Sequence, residues 1–242
     1  MADETRESVR ETVDTGRRDF LKKSIAAGAV VWSAPVVTSL PGGKAWAAPY
    51  PCPNPAGPCT GTAYGLRIQV ASLVVGPIPS APGPSPTCLI NPAVPPIINL
   101  AATVCGDADT TACRFDGYIE NLDLDIASAL GLPLLSVQAS VLRATASVSG
   151  DCPPCSAFGS SIIAGLVVNG GAINVTSPCN TTIPVLNPPL NLANVFLNEQ
   201  TCDANGVLTV NAVRITVPAV GIEVILGHAE AGRTGCDCVT CT

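Results

Sequence analysis

Proline recurs through this chain, 23 residues of it beside 22 glycines in 242, and no other feature narrows the fold as much. Each proline lacks a backbone N–H and clashes with the helical turn before it, so long helices have little room. Short extended segments joined by Pro/Gly turns fit instead. The chain is 47% hydrophobic but only 12% charged and 4% aromatic, which supplies apolar surface for a core and excludes a disordered polyelectrolyte. At this length one domain is the default once an export segment is set aside.

Period-2 alternation places several of the strands. Leu66-Arg67-Ile68-Gln69-Val70 alternates apolar and polar, and Leu122-Asp123-Leu124-Asp125-Ile126 does so with both aspartates on one face. Val137 to Val148 reads as a long strand with Leu142, Ala144, Ala146 and Val148 on one face and Arg143, Thr145 and Ser147 on the other. Ser161 to Val168 is an apolar run, and Asn169-Gly170-Gly171 is a hairpin turn leading into a strand from Ala172 to Thr176. Thr181 to Leu186 and Val195 to Leu197 extend the series, and Asp203-Ala204-Asn205-Gly206 is a second tight turn. Val207 to Val217 is the clearest strand, with Ile222 to Ala229 as its antiparallel partner. Val75 to Pro96, dense in proline, reads as loop or extended edge. Roughly eight to ten strands at this spacing predict an all-β fold, an antiparallel sandwich or barrel-like domain, with small residues allowing closely packed sheets.

The amino-terminal segment is an address. Gly16-Arg17-Arg18-Asp19-Phe20-Leu21-Lys22-Lys23 carries the paired arginines Arg17 and Arg18 of a twin-arginine export motif, with Gly16 where Ser or Thr is usual. An apolar run from Ile25 to Val37 follows, shorter than the ~20 residues a membrane span needs. Ala45-Trp46-Ala47 then offers the small-x-small pattern of signal peptidase, with Ala45 and Ala47 at the small positions and cleavage after Ala47. The expected organisation is a cleaved signal peptide over residues 1–47, a Pro/Cys-rich arm over 48–62 and a β-rich secreted domain over 63–242. The translocase and signal peptidase are the partners implied during export, and the mature chain offers no stable membrane span.

All 12 cysteines follow the cleavage site: Cys52, Cys59, Cys88, Cys105, Cys113, Cys152, Cys155, Cys179, Cys202, Cys236, Cys238 and Cys241. An even number in an exported domain reads first as disulfides, including a possible short Cys52–Cys59 loop. Twin-arginine export moves folded proteins, which leaves a rival reading open. Cys152-Pro153-Pro154-Cys155 has the spacing of a thioredoxin-like pair, and Cys236, Cys238 and Cys241 could place three thiolates around one ion. The motif context is wrong for the first, since no helix follows, and the second lacks a fourth ligand. The single histidine, His228, lies in an expected strand and reads as a partly buried polar side chain.

Charge excludes other roles. After Ala47 the chain holds five arginines, no lysine and twelve acidic residues, a net of −7, so it has no electrostatic footprint for nucleic acid or an anionic membrane. With one histidine and no nucleophile elbow, a serine or cysteine hydrolase is not indicated. Asp123, Asp125, Glu199 and Glu223 are carboxylates of the kind a glycosidase uses, yet both tryptophans, Trp32 and Trp46, precede the cleavage site and leave no such sugar platform. Asp107-Ala108-Asp109-Thr110-Thr111 reads as a loop whose Asp107 and Asp109 are oxygen ligands of the kind calcium prefers. The EF-hand pattern fails there, because Ala112 stands where glycine and Tyr118 where the bidentate acid should be. Asn174-Val175-Thr176 and Asn180-Thr181-Thr182 match a glycosylation acceptor pattern but read as polar positions near strand ends.

From Ala63 to Gly232 the chain resembles the choice-of-anchor P family of bacterial secreted and surface proteins. The resemblance rests on Ala63-Tyr64-Gly65-Leu66-Arg67, Val75-Gly76-Pro77 and Asn180-Thr181-Thr182-Ile183-Pro184-Val185. Leu197-Asn198-Glu199-Gln200, Asn205-Gly206-Val207-Leu208-Thr209-Val210-Asn211-Ala212 and Ala229-Glu230-Ala231-Gly232 continue it in order. It implies an exported domain whose own activity is not established. Two departures stand out: the cysteine content, and an end at Cys241-Thr242 without sorting motif or hydrophobic anchor, for which release or non-covalent retention is the expectation. The sequence-level expectation is thus a secreted, disulfide-stabilised structural or interaction module of the envelope or exterior, needing no cofactor and meeting an unidentified partner there. The alternative is a metal- or redox-active cysteine protein exported folded.

Overall fold

A computed structural model describes residues 56–80, 86–127, 133–150, 155–175, 179–186 and 192–240. Arg17, Arg18, Ala45, Ala47, Cys52, Cys152 and Cys241 lie outside the described residues. The described chain is almost wholly strand: β1 (Thr60–Val70), β2 (Leu73–Ile78), β3 (Thr87–Ile90), β4 (Ile98–Asp109), β5 (Arg114–Ala127), β6 (Pro133–Ser149) and β7 (Ser156–Ala164). There follow β8 (Val167–Val168), β9 (Gly171–Ala172), β10 (Thr181–Leu186), β11 (Leu192–Cys202), β12 (Leu208–Val217), β13 (Ile222–Gly232) and β14 (Asp237–Cys238), with one 3₁₀ turn at Pro218–Val220. The alternating runs of the sequence fall inside β1, β5, β6, β10, β12 and β13.

The strands form two sheets, one of six in the order β10-β11-β12-β13-β1-β2, the other built on β14-β7-β6-β5-β4-β3 with β8 and β9 alongside β6. All pairings are antiparallel except that of β14 with β7. The architecture is therefore all-β as expected, and of the two forms expected, sandwich or barrel-like, it is the sandwich-like one with two sheets. The Pro-rich stretch from Val75 takes the extended-edge form expected of it, with the end of β2 and all of β3 in it, tolerable because an edge strand needs only one set of ladder bonds. Two local expectations change. The strand expected from Ala172 onwards stops at Ala172, leaving only the short β8–β9 hairpin around Asn169. Asp107 and Asp109 belong to the end of β4 rather than to a loop.

In several strands the side-chain alternation slips once. Core-facing positions stand three apart instead of two at Leu197–Gln200 in β11, Leu226–Ala229 in β13 and Ala63–Leu66 in β1, and in β12 the series Leu208, Val210, Ala212 passes directly to Val213, Ile215, Val217. The slips are in register, since Leu197 pairs with Val213, Val213 with Leu226, and Leu226 with Leu66. The other sheet slips likewise at Ile119–Leu122 and Ala139–Leu142, which are cross-strand partners. Positive φ angles at Asn121 (52°), Asn198 (46°) and Gly227 (66°) mark these bulges. A bulge adds one residue, bends the strand and re-aims the side chains beyond it. Aligned across neighbouring strands, the bulges make a crease.

At the crease the two sheets meet backbone to backbone. Tyr64 and His228 are cross-strand partners in one sheet, and a Cβ at Gly117 of the other would overlap both their carbonyl oxygens. A Cβ at Gly65 would overlap Val104 and stand 2.8 Å from the Tyr118 carbonyl oxygen. The crease divides the core. On one side lie Leu66, Ile68, Leu124, Ile126, Leu142, Ile215 and Leu226 with other large aliphatics. On the other, around Phe115 and Leu208, the residues are small: Ala63, Ala108, Ala144, Ala146, Ala157, Ala212, Ala229 and Ala231.

Disulfides gather at the alanine side. Cys59–Cys113 joins the start of β1 to the β4–β5 turn, so it crosses between sheets and replaces the expected Cys52–Cys59 loop. Cys202–Cys238 joins β11 to β14, again across the sheets, and Cys155–Cys236 secures the entry to β14 against the start of β7. Cys88–Cys105 links β3 to β4. Cys179 is also disulfide-bonded, and no described cysteine is free. Closing segments of 36 to 81 residues, the three end bridges each restrict the unfolded chain by about 2–4 kcal/mol.

Gly117→Ala is expected to destabilise the oxidised protein by about 3 kcal/mol, because neither sheet backbone can yield to the added methyl. Gly171→Ala, whose Cβ would meet only the Val168 carbonyl oxygen at 3.4 Å, is the near-neutral comparison. Urea midpoints of the two variants and the parent check this.

Candidate functional site

Bulges turn polar residues outward onto the face of the six-stranded sheet, where they form one connected chain. The His228 ring stacks on Tyr64 with centroids 4.2 Å apart. Its Nδ1 lies 2.7 Å from Asn211 Oδ1, and its Nε2 lies 3.3 Å from Glu230 Oε1. Asn211 Nδ2 donates to Glu199 Oε2 at 2.8 Å, which orients the amide so that Oδ1 accepts from His228 Nδ1. Arg214 donates from Nε and Nη2 to the two Glu199 oxygens at 2.9 and 2.5 Å and lies 3.5 Å from Glu223. Its guanidinium sits 4.0 Å from the centre of the Phe196 ring. Thr62 and Thr209 both donate to Glu230.

The electrostatics follow from these partners. Burial alone raises the Glu199 carboxyl, but hydrogen bonds from Arg214 and Asn211 outweigh it and hold the group below its ordinary 4.5. Glu230 is held below 4.5 chiefly by His228, against burial and with help from Thr62 and Thr209. Burial pushes the Tyr64 hydroxyl up to about 12. The carboxylates here are held as salts, which is the opposite of what a general acid at neutral pH requires. The partners of His228 are the Asn211 amide, the Glu230 carboxylate and the face of the Tyr64 ring.

The outer face of the eight-stranded sheet carries a second cluster, set by β5–β6 register: Asp116 opposes Thr145, Tyr118 opposes Arg143 and Arg114 opposes Ser147. Arg114 Nε donates to Asp116 Oδ2 at 2.7 Å, and Arg143 Nε to Oδ1 at 3.0 Å. Thr145 Oγ1 also donates to Asp116 Oδ1. Arg143 lies 5.8 Å from the centre of the Tyr118 ring. Burial raises the Asp116 carboxyl, but these donors prevail and keep it below 3.8. A groove of 490 Å³ opens beside the cluster, lined by Arg114, Arg143, Thr145, Ser147, Ser160 and the apolar Ala112, Val148, Phe158 and Ile162.

The structure separates most of the sequence candidates from any shared chemistry. Cys236 and Cys238 are consumed by Cys155 and Cys202, so they are not available as a thiolate set, and Cys155 pairs with Cys236 rather than with its neighbour in the Cys-Pro-Pro-Cys segment. The spacing suits a redox pair, but Cys155 opens a strand whose neighbour is β14. Asp109 Oδ1 accepts the backbone N–H groups of Thr111 and Ala112, capping the β4–β5 turn. Asp107 lies opposite Asp116 across the β4–β5 ladder. Among the described residues no group of three or more His, Cys, Asp or Glu converges where a metal ion could sit. Arg143 and Thr145 are legible in the sequence as an outward face; Asp116 as their shared partner is not, because that depends on β5–β6 register.

No protein-family model matches the chain, and neither a curated protein nor a solved structure matches it.

Asp116→Ala, which leaves two arginines side by side on the sheet, is expected to lower stability by about 2 kcal/mol at neutral pH. The sign with pH is fixed. Asp116, Glu199 and Glu230 have lowered folded values, so their contribution is complete above the ordinary carboxylate range and is lost as pH falls below 4.5 and then 3.8. Urea unfolding from pH 7 to pH 2.5 is expected to show a falling midpoint on the acid side, with a shallower fall in Asp116→Asn.

Proposed function

We propose that this chain leaves the cytoplasm by the twin-arginine route, is cut after Ala47, and works at or beyond the cell envelope as a structural or interaction module without a catalytic site. The observation that carries the reading is the pairing of the described cysteines: disulfides that cross between sheets belong to an oxidising compartment. Arg17 and Arg18 supply the route, and the ion-paired outer faces supply the rest. The resemblance to the choice-of-anchor P family agrees with this and extends the proposal to a surface-associated or released domain. A cysteine-based metal or redox role loses its support with the bonding of Cys155, Cys236 and Cys238.

The test is fractionation of a producing cell. The parent chain is expected outside the cytoplasm, starting at Ala48, with alkylation of its cysteines only after reduction. The double substitution Arg17→Lys and Arg18→Lys should leave an uncleaved chain inside. Export of the double variant at the parent's level would contradict the route, and freely alkylated cysteines in the exported parent would contradict the module.

A further inference from the structure

The groove beside Asp116 combines two guanidiniums with exposed apolar side chains, and we propose that it binds the terminal carboxylate of an extended peptide whose last side chain is apolar. This rests on the interaction-module reading and names a ligand class for it. Arg114 and Arg143 stand on one carboxylate, each directing Nε and Nη2 at Asp116. A guanidinium has five N–H donors, so both retain donors to offer. Their side chains are 50% and 37% exposed, so the remaining donors face the groove and solvent. Asp107 stands on β4, opposite Asp116 and on the far side of β5 from Arg143, which leaves Arg143 on β6 as the principal anchor.

Asp116 and Asp107 balance the two arginines, so this groove is close to neutral in a domain with five arginines against twelve acids after Ala47, and an anion is repelled less there than over the acidic remainder. A carboxylate matches the planar fork of a guanidinium. Phe158 and Ile162, 49% and 54% exposed, stand on β7 beside the arginines and offer a surface for one apolar side chain. Ser147 and Ser160 line the same groove and can pair with the peptide group next to the carboxylate. The volume of 490 Å³ falls within the ~300–1,000 Å³ of small-ligand sites. A sugar is the poorer match, because the chain after Ala47 has no tryptophan and the groove only one aromatic ring.

The probe is N-acetyl-phenylalanine, with its carboxamide and inorganic phosphate as comparisons, titrated into the oxidised, isotope-labelled mature protein and followed by amide chemical shifts. The acid is expected to move the amides of Arg143, Phe158, Ser160 and Ile162 with a Kd on the order of 1 mM, and the carboxamide should not. Arg143→Gln is expected to weaken binding about tenfold, because it removes a charge-assisted hydrogen bond to the carboxylate. Phe158→Ala removes an exposed side chain, leaves the fold intact and should weaken binding severalfold. Equal shifts from acid and carboxamide, equal or stronger shifts from phosphate, or no shift from any probe would each overturn the proposal. Such a failure would leave compartment and disulfide state, read by fractionation and alkylation, untouched.

Discussion

Where Gly117 faces Tyr64 and His228, the two sheets approach so closely that no side chain fits between their backbones, and much of the structure is arranged around that approach. Face-to-face sheets ordinarily stand about 10 Å apart with interdigitating side chains. Here glycine and alanine remove the spacers, and aligned bulges of the six-stranded sheet re-aim its side chains along the line of close approach. Gly227 serves it directly: its φ of 66° suits a residue without Cβ, and a side chain there would crowd the Gly117 carbonyl oxygen at 3.2 Å.

The crease has an energetic consequence. On the aliphatic side each buried Leu or Ile contributes about 1.5–3 kcal/mol, whereas a buried methyl contributes nearer ~0.8 kcal/mol. The side lined by Ala63, Ala144, Ala146, Ala212, Ala229 and Ala231 therefore gains much less from burial. That is where Cys59–Cys113, Cys155–Cys236 and Cys202–Cys238 lie, with Cys113, Cys155 and Cys236 part of that core. Covalent links between the sheets supply what small side chains cannot. The crease also sets the outer surface: beyond a bulge the outward face is taken by other residues, which brings Glu199 and Asn211 into line with His228 and Arg214.

Much of the fold is legible in the sequence because alternation reports burial on one face of a strand, as Leu142 to Val148 shows. β4 is hard to read although Ile98, Leu100, Ala102 and Val104 alternate, since the prolines just before it suggest loop. The crease is harder to see. Asn121 and Asn198 are polar residues inside strands, and a slip of phase looks like noise until neighbouring strands are seen to slip together. The outer-face networks depend on register, which pairs Asp116 with Thr145 and brings Arg143 beside Tyr118. Disulfide partners are out of reach for the same reason: Cys88 and Cys105 meet only as a cross-strand pair.

The central claim is that disulfides hold the alanine side of the crease while aliphatic packing holds the other. Amide hydrogen exchange of the protein, with and without a reductant, measures this residue by residue. On reduction, protection should fall in Ala144–Val148, Leu208–Ala212 and Ala229–Gly232, while Leu122–Ile126 and Val213–Val217 keep theirs. Equal loss on both sides of the crease, or none on either, would contradict the account.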